Sequence, residues 1–122
     1  MGGGIIMGLD MYLYEKEIHQ VASWRKANAI HGWIINYTNA IDNCTPITLQ
    51  MRDLIELQNV CKEVLLNPEK AEDLLPPTPG FFFGGTQIDE WYWDSVKDTT
   101  EILTHIIKEN EEDATFEYQA SW

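Results

Sequence analysis

The sequence predicts an α+β domain, with three main helices packed on a small antiparallel sheet formed by the N- and C-terminal strands. Both ends of the chain alternate, with Leu9, Met11 and Leu13 set against Asp10, Tyr12 and Tyr14, and Phe116, Tyr118 and Ala120 set against their polar neighbours. Period-2 alternation of this kind marks strands with one buried face. Between the ends lie three stretches whose apolar residues recur at helical spacing, and helices that bury such stripes against a sheet give the layered arrangement. A helical bundle carrying one terminal ribbon is the alternative architecture.

Residues 8–16 read as the first strand. A helix is expected over residues 19–38, because Trp24, Ala27, His31, Ile34 and Ile35 recur at steps of three, four and seven. Its other side carries Ala29, Ile30 and Trp33, so it is apolar over much of its circumference. Gly32 costs that helix roughly 1 kcal/mol relative to Ala, which reads either as close approach of a neighbouring backbone or as tolerance. Residues 39–46, rich in Asn, Asp, Thr and Pro, favour a loop. Leu54, Leu57, Cys61 and Val64 then mark one face of a second helix over residues 48–66, and Asn67-Pro68 restarts the chain as a short helix to Leu74. Pro76-Pro77-Thr78-Pro79-Gly80 cannot continue it and leads into Phe81-Phe82-Phe83, a short buried strand or turn. The third main helix spans residues 88–109, with Tyr92, Val96, Leu103 and Ile106 on one face and acids at its start that complement the positive helix terminus. A closing strand over residues 115–122 pairs with the opening one.

The length of 122 residues and a hydrophobic content of 44% suit one domain with its own core, expected over residues 7–122. Met1-Gly2-Gly3-Gly4-Ile5-Ile6 precedes a second methionine, Met7, and is read as an upstream extension. Twenty acidic and eight basic residues give a formal net charge of −12, which argues against a nucleic-acid groove built on Lys and Arg. The same charge fits either an ordinary aggregation-resistant surface or docking on a basic one. Two cysteines without a secretory signal point to a reducing cytoplasm, and no stretch is apolar enough to span a bilayer.

Trp24, Arg25, Lys26, Asn28 and His31 concentrate two cations, an amide, an imidazole and an indole in a chain that elsewhere is acidic. On one helix, Trp24, Asn28 and His31 fall at i, i+4 and i+7, so an indole could stack on a base while Arg25 offers bidentate hydrogen bonds to phosphate or carboxylate. The competing reading makes Trp24 and His31 core residues, with Asn28 bonding a buried backbone group. In Trp91-Tyr92-Trp93 consecutive side chains point about 100° apart, so at least one ring reaches the surface. Exposed aromatics beside Asp89, Glu90 and Asp94 suit a protein interface, with Trp91 and Trp93 as anchors, or else they snorkel over the neighbouring helix. The three histidines and two cysteines lack metal-ligand spacing, neither a phosphate loop nor a dinucleotide fingerprint is present, and no nucleophile–base pair stands out, so no metal, cofactor or catalytic residue is expected.

Met7-Gly8-Leu9-Asp10-Met11-Tyr12-Leu13, the segment of residues 24–33, the glycine-bracketed phenylalanines at residues 80–84 and the closing Tyr118-Gln119-Ala120-Ser121-Trp122 resemble a family of small phage, prophage and bacterial proteins. The resemblance spans residues 7–122 in order. It implies no activity, only a context in which a small phage-type accessory protein interferes with host machinery. The resulting expectation is a non-enzymatic, cytoplasmic protein that inhibits a host defence component, as anti-CRISPR and similar anti-defence proteins do, or a regulatory component, by binding its basic surface. The alternative is a small-ligand binder or sponge for an anionic, nucleotide-like signal.

Overall fold

A computed structural model describes residues 9–15, 19–25, 27–40, 46–77 and 88–121 of the chain. Strands β1 (Asp10–Glu15) and β2 (His19–Arg25) lead into helix α1 (Asn28–Thr38), followed by strand β3 (Ile47–Gln50) and helix α2 (Met51–Leu66). A 3-10 turn (Pro68–Lys70) and one helical turn, α3 (Ala71–Leu74), precede the long helix α4 (Glu90–Glu109) and strand β4 (Thr115–Ser121). The architecture is α+β, with an antiparallel sheet of order β2-β1-β4-β3. The extension at residues 1–6, Cys44 and the phenylalanine run at residues 81–83 lie outside the described residues.

Register carries the sequence pattern directly into the sheet. Met11 stands between Trp24 and Ala120, Leu13 between Ala22 and Tyr118, and Leu49 opposite Phe116. These residues share one face, where Met11, Leu13, Trp24, Leu49, Phe116, Tyr118 and Ala120 are buried. Helices α1 and α4 both meet that face, through His31 against Tyr118 and through Thr99 against Trp24. Helix α2 packs on α4, with Leu54, Leu57, Cys61 and Val64 buried on one and Tyr92, Val96, Thr99, Leu103 and Ile106 on the other.

Two elements depart from the sequence reading. Residues 19–25 form strand β2, not the first half of a helix, and α1 begins only at Asn28. The register of β2 against β1 shifts between Leu13 and Tyr14, so Ala22 pairs with Leu13 while Gln20 pairs with Tyr14 and Val21 is the extra residue. A bulge interrupts alternation, and what remained of the pattern happened to match helical steps across a strand–helix junction. Residues 47–50 likewise form a strand before α2 starts at Met51, because Ile47 and Leu49 find partners on β4 that no local pattern announces.

Local chemistry sets the helix ends. Asn39 closes α1 in the left-handed region, at φ 56° and ψ 34°, which Asn tolerates better than most residues. The backbone N–H of Gln50 donates to Asp53 Oδ2 at 2.7 Å at the start of α2, and Asp89 Oδ1 accepts from the Tyr92 N–H at 3.1 Å at the start of α4. Replacing Leu103, fully buried on α4, with Ala should cost about 2–5 kcal/mol. Urea unfolding should show this as a lower midpoint with an unchanged slope.

Candidate functional site

Helix α4 lies beside the outer strand because Trp24 points inward from β2 and its indole Nε1 donates to Thr99 Oγ1 at 2.8 Å. The Thr99 hydroxyl in turn donates to the Ser95 carbonyl at 2.7 Å, so both of its hydrogen-bonding roles are used. A groove of about 420 Å³ runs next to this contact, with Ser23, Trp24 and Ala27 on one side. Its other wall is a stripe of α4 made of Trp91, Asp94, Ser95, Asp98, Glu101 and Ile102.

The stripe follows from helical periodicity. Positions 91, 94, 98 and 101 recur at steps of three and four, and they flank the buried row that begins at Tyr92. Trp91 lines the groove and is 63% exposed, while Asp94, Asp98 and Glu101 are all exposed. Among the described residues, none of these three carboxylates enters an ion pair or a side-chain hydrogen bond. An aromatic wall beside several unpaired anions attracts cations, through both carboxylate hydrogen bonding and the negative face of the ring.

The basic-aromatic segment read from the sequence is divided by the strand–helix junction. Trp24 and Arg25 end β2, Lys26 lies outside the described residues, and Asn28 and His31 belong to α1, so the shared helical face expected for them does not exist. Trp24 is buried apart from the edge that lines the groove, and Asn28 and His31 are buried as well. His31 Nδ1 lies 2.6 Å from the Tyr118 hydroxyl, with the two rings tilted and 5.9 Å apart. Trp24 thus fastens β2 to α4, and His31 fastens α1 to β4.

The second candidate cluster is also sorted by the helix. Trp91 faces outward, Tyr92 is buried, and Trp93 is half-buried with its ring edge-on to Tyr92 at 4.9 Å. Asp89 caps α4, Glu90 is exposed in its first turn, and Asp94 lines the groove. Asp98 and Glu101, which continue the same stripe, are not among the candidate residues that the sequence offers. Their steps of four and then three from Asp94 are the available signal, whereas the opposite wall depends on residues 19–25 forming a strand, which their helical spacing conceals.

A smaller hollow of about 330 Å³ is lined by Gly32, Trp33, Asn36 and Tyr37 of α1 and by Asp73, Leu74 and Pro76. Trp33 and Tyr37 stack on each other there, with centroids 4.5 Å apart and planes 13° from parallel. Between α2 and α4, burial pushes the Cys61 thiol up to about 12, against the opposing effect of its hydrogen bond with Thr100. Burial likewise pushes the Tyr92 hydroxyl up to about 12, and that hydroxyl donates to the Leu75 carbonyl at 2.7 Å. Among the described residues no group of three or more His, Cys, Asp or Glu could hold a metal ion, and no helix is long and apolar enough to cross a membrane.

No protein-family model, curated protein or solved structure matches the chain.

Two outcomes follow from this geometry. Trp24→Phe removes the donor to Thr99 and should lower stability by about 1–3 kcal/mol, read as a melting temperature several degrees lower. A pKa raised to about 12 keeps the Cys61 thiol neutral at pH 8, and the thiolate is the reactive form. In a Cys44→Ser background, Cys61 should therefore resist an aromatic disulfide reagent in the native protein and react fully in denaturant.

Proposed function

We propose that this protein is a non-catalytic binding protein that captures a basic segment of another protein in the groove between β2 and α4. The observation that carries this reading is the set of three exposed carboxylates, Asp94, Asp98 and Glu101, that line one wall beside the exposed indole of Trp91 without an ion pair among the described residues. Arg or Lys from a partner would sit against the ring and pair with the carboxylates, adding a directional contact to the general attraction of a chain with net charge −12. Surface pairs are individually weak, so affinity depends on several contacts made together in a partly enclosed site.

The resemblance of the chain's segments to small phage and prophage proteins supports a cytoplasmic setting in which the partner is a host defence or regulatory protein, held so that it cannot act. The nucleotide-like ligand draws no comparable support, since Trp24, Asn28 and His31 are buried and Trp24 and His31 are engaged with Thr99 and Tyr118.

The test is titration of an arginine-rich peptide into the protein, followed by calorimetry, with an acidic peptide as control. Asp98→Lys, which reverses a charge on an exposed position, should weaken binding at least tenfold. Trp91→Ala should weaken it about two- to fivefold, the equivalent of a cation–π contact of roughly 0.5–1 kcal/mol. Affinities that both variants leave unchanged, with circular dichroism confirming their folds, would remove the groove from the function.

A further inference from the structure

The groove has one wall that is a helix and another that is the margin of a sheet, and the second wall says how a ligand can be held. Strand β2 is the outermost strand of the order β2-β1-β4-β3. Among the described residues, no strand pairs with its outer side. An edge strand of this kind leaves every second backbone N–H and C=O directed away from its neighbour, ready to pair with another extended chain. Ser23 and Trp24 of β2 contribute directly to the groove, so this edge and the carboxylate stripe of α4 border the same space.

Spacing links the two walls. Alternate side chains of an extended strand leave on the same side about 6.6 Å apart. Successive carboxylates on α4 are four and then three residues apart, equivalent to axial rises of about 6 Å and 4.5 Å. A strand added along β2 presents every second side chain on the face of the sheet that meets α4, at an interval comparable to the spacing of its anions. The bulge at Val21 disturbs the inner pairing of β2 on the side of Gln20, and the groove-lining Ser23 and Trp24 lie in its regular portion, residues 22–25.

Resting on the binding function proposed above, we infer that the partner segment binds as an added β-strand along the outer edge of β2. Lys or Arg at alternate positions reaches Asp94 and Asp98, and the aliphatic stem of one of them lies on Trp91. Backbone pairing provides the affinity common to extended segments, and the carboxylate stripe selects a basic one. The recognised chemistry is an extended peptide with basic residues at every second position, in contrast to a basic helix, whose charges recur at steps of three and four.

The experiment uses an eight-residue peptide of alternating Thr and Arg and two forms of it, N-methylated on one or the other alternate set of backbone nitrogens. N-methylation removes a strand donor and keeps the charge. The parent peptide should bind, one methylated form should bind at least tenfold more weakly, and the other should bind nearly as well as the parent. Hydrogen exchange of the outward-facing backbone amides within residues 22–25 should slow at least tenfold when the parent peptide saturates the protein. If both methylated forms match the parent and these amides keep their exchange rates, while Asp98→Lys still abolishes binding, strand addition is wrong and the acidic groove stands. If Asp98→Lys and Trp91→Ala both bind the parent peptide as tightly as the original protein does, or if the parent does not bind at all, the groove fails together with the strand.

Discussion

Trp24 donates its indole N–H to Thr99 across 2.8 Å, joining residues 75 positions apart in the chain. One partner belongs to the outermost strand and the other to the longest helix, so the bond fixes the separation of two elements that the backbone does not connect directly. It is a buried polar contact with both members satisfied, which makes it directional where the surrounding hydrophobic packing is not. The row behind it, Tyr92, Val96, Leu103 and Ile106, seals α4 into the core. What remains outside the seal is the adjacent stripe of the same helix, and this is why the groove has a stable floor and an acidic wall.

The second buried polar contact, between His31 and Tyr118, does for α1 and β4 what Trp24 and Thr99 do for β2 and α4. Together they tie two helices, α1 and α4, to strands of the sheet far from them in sequence. Hydrophobic burial of Met11, Leu13 and Phe116 supplies the driving force, and the two polar contacts choose which helix lies where. Trp24 and His31 of the basic-aromatic segment are thus spent on assembly, while the acidic side of α4 stays exposed.

Most of the fold was legible because strong periodicity is a local property. The terminal strands, the α2 face of Leu54, Leu57, Cys61 and Val64, and the α4 face all appear where the spacing of apolar residues placed them. Strand β2 was not legible, because its bulge at Val21 broke the alternation and Trp24, Ala27 and His31 imitate helical steps across the turn into α1. Strand β3 has only four residues and depends on β4 for its pairing, a long-range cause with no local trace. Of the candidate site, Trp91 and Asp94 could be read from the helix alone. Their companions Ser23, Trp24 and Ala27 required knowledge of which strand lies opposite.

The register of β1 has a consequence for biosynthesis. Its inner face is shared with β4, with Leu13 opposite Tyr118 and Met11 opposite Ala120, so the sheet is completed by residues roughly a hundred positions downstream. At ribosomal speed that interval lasts on the order of 5–20 s. Throughout it, β1 has β2 but not β4 as a neighbour, so its second edge stays unpaired until the closing strand is made.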